Sequence, residues 1–194
     1  MLQRILILQG HPDAAGGHLN HALAAAYREG AEQAGHLVQE IRLAELDFPL
    51  LRDPAQYHDP AVPDDIREAQ RAIEAATHIV LFYPLWLGDM PALVKGFLEQ
   101  VFRPAFVTGG DDMTGLRHTR LERHSARIVV TMGMPALFYR WFYRAHSLKS
   151  LERNVFRFAG FAPVRHTLIG RAGGGKRARR RRLRQMHALG RLAR

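Results

Sequence analysis

Five short runs rich in β-branched and aliphatic residues recur along the chain, at residues 3–9 (QRILILQ), 36–43, 77–83 (THIVLFY), 126–132 (ARIVVTM) and 163–170 (PVRHTLIG). The longer stretches between them carry apolar residues at helical spacing. Leu19, Leu23 and Tyr27 fall at i, i+4 and i+8 and predict a helix over about 19–34, closed by Gly35 just past its last turn. Residues 64–76 predict a second helix, with Asp64 and Asp65 where the helix dipole favours acids. Residues 91–102 predict a third, with Pro91 at its first position. Run 77–83 is apolar almost throughout and reads as a central strand buried on both faces. Leu37, Val38 and Ile41 give run 36–43 the mixed pattern of an outer strand. Residues 53–63 and 107–122 read as long surface loops.

Strands alternating with helices imply parallel pairing through right-handed crossovers, with helices on both faces of one sheet. Five strands predict an α/β three-layer sandwich of the flavodoxin-like type, order 2-1-3-4-5. No Gly, Ser or Pro linker and no repeat divides the 194 residues. The chain therefore reads as a single domain over 1–194, ending in a basic helix at about 175–193.

Charge changes this picture at one end only. Ten of the 28 Lys and Arg residues lie in 171–194, where there is no Asp or Glu, and the other 18 are matched by the 18 acids. The formal charge of +10 thus belongs to the tail, and no nucleic-acid partner is expected of the body. Leu183, Met186, Leu189 and Ala193 share a helical face, which makes the tail the last helix of the sandwich with its arginines outward. A weak contact of those arginines with an anionic membrane surface stays open. The stretch 170–177 (GRAGGGKR) falls short of a phosphate-binding P-loop, because Arg177 stands where a magnesium-holding Ser or Thr is needed. His18 and His21 could share a helical face, but no third ligand lies at metal spacing, so no metal is expected. The opening MLQRILILQGHPD lacks a secretory-signal pattern, and no apolar run nears the roughly 18 residues that span a bilayer. With no cysteine, a reducing cytoplasm is the expected location.

In such a sheet, ligands lie beyond the carboxyl ends of the strands, where the connections diverge to opposite faces. That directs attention to the loops after runs one, three and four. Residues 10–20 (GHPDAAGGHLN) form a polar loop entering a helix N-terminus, which offers free N–H groups and partial positive charge to a phosphate. The loop lacks the G-x-G-x-x-G dinucleotide pattern. Residues 83–91 (YPLWLGDMP) place an aromatic and aliphatic stretch just past a buried strand. A flat aromatic ligand could lie against it, or Trp86 could pack on the protein or at a dimer interface. The third loop, TMGMP, runs into ALFYRWFYRAHSL, whose five aromatics between Phe138 and Tyr143 are core or interface material. Tyr139 and His146 there are candidate polar groups near a reacting ring.

The segments GHPD…LNHALA, FYPLWLGDMPALVKGFLEQVFRP, TMGMP and SLERNVFRFAGFAPVRHTLIG resemble, in order and over nearly the whole chain, the NAD(P)H dehydrogenase (quinone) family. That family includes DT-diaphorase-like enzymes, bacterial quinone reductases and ancillary subunits of potassium-efflux systems. The resemblance implies bound FAD or FMN, with His11, Gly17, His18, Leu19 and Asn20 around its phosphate and ribityl chain. Pro84, Leu85, Trp86 and Leu87 would line the isoalloxazine, and Thr131, Met132, Gly133 and Met134 its opposite edge. Tyr139 and His146 approximate the tyrosine and histidine that assist hydride transfer in the family. The implied activity is ping-pong transfer from NAD(P)H to a quinone or similar flat acceptor, in a homodimer. An ancillary subunit acting on a partner protein is the alternative. Two departures stand out: the phosphate loop has Gly16, Gly17 and His18 where a Ser or Thr is usual, and the fourth-strand loop reads Gly133-Met134 rather than paired glycines.

Overall fold

A computed structural model describes residues 2–108, 121–122 and 124–194. Its strands are β1 (Arg4–Gln9), β2 (Leu37–Arg42), β3 (His78–Pro84), β4 (Ser125–Thr131) and β5 (Val164–Ile169). Every pairing is parallel and the order is β2-β1-β3-β4-β5, as the strand–helix alternation predicted. The helices are α1 (Leu19–Gln33), α2 (Pro54–His58), α3 (Asp64–Ala75), α4 (Ala92–Val101), α5 (Pro104–Thr108), α6 (Ala136–Trp141), α7 (His146–Leu151) and α8 (Lys176–Arg191). Helix α7 runs on into a π-helical stretch, Glu152–Arg157.

The alternation of side chains along each strand divides the core in two. In β1, Ile5 and Ile7 join Leu23, Tyr27, Val80, Phe82, Val129, Ile169 and Met186 under α1 and α8. Leu6 and Leu8 point the other way, into a larger cluster with Ile73, Phe97 and Leu148 of α3, α4 and α7. All seven residues of β3 are buried, as a strand covered on both faces requires. Helix α8 contributes Met186, with Leu183, Leu189 and Ala193 packed around it. Two glycines permit its close approach to α1. A Cβ on Gly30 would overlap the His187 carbonyl, and one on Gly190 the Tyr27 carbonyl.

Three local expectations are corrected, and one segment to which the sequence reading assigned no element gains two helices. Loop 53–63 contains α2, because Asp53 caps it by accepting from the Gln56 N–H (2.8 Å) and Pro54 opens it. Pro91 is the N-cap of α4 rather than its first residue. The aromatic segment after β4 folds into α6 and α7. Part of the expected loop 107–122 is helical, since α5 reaches Thr108; residues 109–120 lie outside the described residues. Among the described residues no helix is long and apolar enough to cross a membrane.

The buried end of β3 makes a pH prediction. His78 is buried, with Nδ1 2.7 Å from Ser125 Oγ and no partner for Nε2. Burial, then Arg127 and Arg165, push it from 6.5 down to about 4. Between those values the unfolded chain binds the proton that the native state refuses, so stability falls as pH drops from about 6.5 towards 4. Urea midpoints should decrease over that window, and the decrease should shrink in His78→Gln. An equal decrease in both proteins would place the acid sensitivity elsewhere.

Candidate functional site

The loops leaving β1, β3 and β4 converge on an open cleft of about 310 Å³, within the ligand-site range of roughly 300–1,000 Å³. The first loop supplies His11, His18, Leu19 and Asn20, the second Pro84, Leu85 and Trp86, the third Thr131, Met132 and Gly133. Gly10 lets the chain leave β1 tightly: its N–H bonds the Phe82 carbonyl at 2.7 Å, and a Cβ there would lie 2.8 Å from that oxygen and from Val94 Cγ2. The rings of His11 and His18 then stack at 4.0 Å, with His21 beside them and Trp86 edge-on to His11 at 6.3 Å. Burial, with His18 and His21 nearby, lowers His11 to about 4, so its ring is neutral at neutral pH. Its Nδ1 accepts from the Asp13 N–H (3.1 Å), which puts the ring proton on Nε2. Asp13 also holds His18 Nε2 at 2.8 Å, and that hydrogen bond draws the Asp13 carboxyl below its ordinary range.

His18 is the N-cap of α1 but makes no side-chain cap, so the first-turn N–H groups face the cleft end uncapped by a side chain. Asn20 is buried; its Nδ2 reaches Thr131 Oγ1 at 3.4 Å, while its Oδ1 has no partner in the protein. Past β3, the Leu85 N–H donates to the Thr131 carbonyl (2.7 Å). Trp86 and Asp89 then close a tight turn through paired backbone bonds of 2.8 and 2.9 Å. Both central residues have positive φ, Leu87 at 49° and Gly88 at 84°. A leucine held there is strained, by about 1–3 kcal/mol on the usual scale for such positions.

A family model described as "Flavodoxin-like fold" matches residues 3–189. The chain belongs to this flavodoxin-like fold family. A curated relative, an "Uncharacterized NAD(P)H oxidoreductase" of Haemophilus influenzae, is 28% identical over 171 residues, covering 85% of this chain and 82% of that protein. Among solved structures, an NAD(P)H:quinone oxidoreductase from Methanothermobacter marburgensis superposes with a TM-score of 0.82 at 22% identity, over 98% of this chain and 96% of that one. An FMN-dependent NADH-azoreductase from Bacillus anthracis, solved with FMN, gives 0.74 at 15% over the full length of both. At those identities the structural likeness is one of fold.

Not every residue singled out from the sequence of this flavodoxin-like protein lines the cleft. Gly17 lies on the loop outside it with φ 82°, Leu87 points into solvent and Met134 packs against the core cluster. His146 is exposed at the start of α7. Tyr139 is fully buried. The Leu148 N–H donates to its oxygen (3.3 Å) and Ser147 Oγ donates to the Gly88 carbonyl (2.8 Å). That leaves the tyrosine O–H to donate to Ser147 Oγ (2.8 Å). The three bonds tie α6 and α7 to the turn that carries Trp86.

One contributor to the cleft escaped sequence reading. Ala172, after β5, lines it with its N–H bonded to the Met132 carbonyl (2.9 Å), while the Arg171 N–H bonds the Met134 carbonyl (2.9 Å). Gly170 allows this approach: a Cβ there would overlap the Ala136 nitrogen and lie 2.9 Å from the Met134 oxygen. The glycine-rich stretch 170–175 was the available signal, but it resembles a P-loop more than a wall against the neighbouring loop.

Proposed function

We propose that this chain is a flavin-dependent oxidoreductase that passes two electrons from NAD(P)H to a quinone or similar flat acceptor, as a homodimer of single flavodoxin-like domains. One observation carries the reading: three loops meet at the sheet's switch point around a buried Asn20 oxygen that the protein leaves without a partner. The residues present suit a flavin. The uncapped N-terminus of α1 and the neutral His11 Nε2–H offer donors to a phosphate and ribityl chain. The half-exposed Trp86, with Leu85 and Met132, offers a flat apolar wall. FAD and FMN share this flavin end, and either would suit the residues present.

A bound flavin would supply the redox chemistry, carrying a two-electron hydride equivalent between nicotinamide and acceptor. The chain would hold and orient it: Trp86 offers a stacking surface, and its strained turn is kept in place by the Ser147 hydroxyl on Gly88. Tyr139 acts through that bond as a positioning residue. His146 is the proposed donor to the acceptor oxygen. The exposed Phe138, Trp141, Phe142 and Tyr143 on and just after α6 supply apolar area for the homodimer. The names of the curated relative and solved structures above describe oxidoreductases, which favours this reading over an ancillary efflux subunit.

The visible spectrum of purified protein tests the proposal. Flavin absorption that bleaches with NADPH under anaerobic conditions and returns on adding a quinone is expected. Colourless protein that quenches neither FAD nor FMN fluorescence overturns it. Trp86→Ala should weaken flavin binding by about 1–3 kcal/mol, the scale of a lost aromatic wall, read by fluorescence titration. His146→Gln should lower kcat at least tenfold with flavin content intact. Unchanged kcat with a shifted sedimentation profile would assign His146 to the dimer interface.

A further inference from the structure

The outer face of α8 is the most highly charged feature of the molecule, and the cleft does not use it. Met186 and Gly190 mark the buried side of this helix. On the opposite side lie Arg177, Arg180, Arg181, Arg184 and Arg191, all exposed. None of the ion pairs among the described residues involves any of them. Arg182, on the flank, is the one with a structural task, donating to the carbonyls of Gly170 (2.5 Å) and Arg171 (3.1 Å).

This arrangement works against the helix itself. Arg177 with Arg181 and Arg180 with Arg184 are like charges at i, i+4, which repel. The first turn holds Lys176, Arg177 and Arg179 with no acid, at the end where the dipole is already positive. A helix required only to cover the sheet gains nothing from such a face, and its close packing on α1 through Gly30 and Gly190 does not depend on it. Sequences break local rules of this kind where a surface serves a partner.

The face narrows the partner's chemistry. It carries no aromatic side chain on which a base could stack. Ala188 and the exposed Leu192 continue it beyond Arg184. Exposed Leu2 lies at the same end, because the His36 ring meets the Arg191 carbonyl (3.3 Å) and Leu2 lies against Gly35. Exposed leucines beside arginines suit the headgroup–acyl boundary of a bilayer and gain nothing against a nucleic-acid backbone. The bases and acids outside residues 171–194 are equal in number, so the net charge of the chain is concentrated in the segment that carries this helix.

We propose that the outer face of α8 is a docking surface for an anionic lipid bilayer, with the arginines on lipid phosphates and Leu192 at the interface. The surface stands independently of the redox reading. Co-sedimentation of the full chain with phosphatidylcholine vesicles, with and without about 30 mol% phosphatidylglycerol, tests it. An arginine near such a surface is worth roughly fivefold in partitioning. The anionic vesicles should therefore bind at least about 100-fold more strongly, and the variant Arg177→Gln/Arg181→Gln/Arg184→Gln should lose about that factor while melting as the parent does. Roughly 0.5 M NaCl should screen the difference in the unmodified protein, a check needing no variant. Leu192→Ser should weaken binding in a way that salt does not reproduce. Equal binding to neutral and anionic vesicles overturns the proposal. So does retention by duplex DNA with no vesicle binding, which would make the face a nucleic-acid surface, or binding to neither.

Discussion

Removing residues 176–194 is expected to abolish the cooperative unfolding transition, not merely to trim a charged tail. Helix α8 places Met186, Leu183 and Leu189 over the face of the sheet formed by Val80, Phe82, Val129 and Ile169, and against Leu23 and Tyr27 of α1. Met186 is fully buried, worth about 1.5–3 kcal/mol, and the partly buried Leu183 and Leu189 add less each. Losing all three, and wetting the residues beneath, approaches the whole stability of a typical domain, about 5–15 kcal/mol. Gly190→Ala is the point-mutation form of the same test. Alanine gains about 1 kcal/mol of helix propensity, but its Cβ would overlap the Tyr27 carbonyl, a backbone atom that cannot rotate away. The overlap wins, and a net loss of about 2 kcal/mol or more is expected. Circular dichroism melts and urea titrations check both variants. A truncated chain that melts like the parent would make α8 an appendage and remove the argument for the α1–α8 contact.

Gly170→Ala should lose flavin binding by about 100-fold while keeping most of the secondary structure. The new methyl would overlap the Ala136 nitrogen and crowd the Met134 and Pro135 backbone. The segment after β5 can then no longer keep its bonds from Arg171 to Met134 and from Ala172 to Met132. Displacing that wall by about 1 Å disturbs every contact in a site whose groups must be held to a fraction of that distance. Gly174→Ala, a few residues on, has its nearest backbone neighbour at 3.1 Å and serves as the comparison. Flavin fluorescence titration separates the two. Equal affinity in both variants would show that the β5 segment lies outside the binding site.

Hydrophobic spacing made the sheet legible because it records a local choice. Residues i and i+2 of a strand face opposite layers from i+1, as Ile5 and Ile7 do from Leu6 and Leu8, and Leu19, Leu23 and Tyr27 repeat at the helical period. Strand–helix alternation with right-handed crossovers then leaves few strand orders, and order 2-1-3-4-5 is the one found. The same logic directs attention to the loops after β1, β3 and β4, and most of the residues named there line one cleft. The helices within 136–151 were less legible, since their aromatics lack a single apolar period and α6 and α7 meet at Arg144 and Ala145, both with positive φ.

The sequence by itself therefore determined the five strands, their order, the long helices α1, α3, α4 and α8 and the end of the sheet where the cleft opens, because each follows from periodicity or from chain direction. Tertiary structure decided which side chains meet. Asn20 faces Thr131, Ser147 reaches Gly88, and Ala172 backs Met132. These partners are tens of residues apart, and their meeting depends on how helices and loops pack over the sheet. Tyr139 shows the difference most clearly. Its position after β4 marks it as a group near the cleft, but only the packing of α6 on α7 commits its hydroxyl to Ser147 and Leu148. A buried hydroxyl takes the nearest partners that satisfy it, and local spacing does not encode which those are.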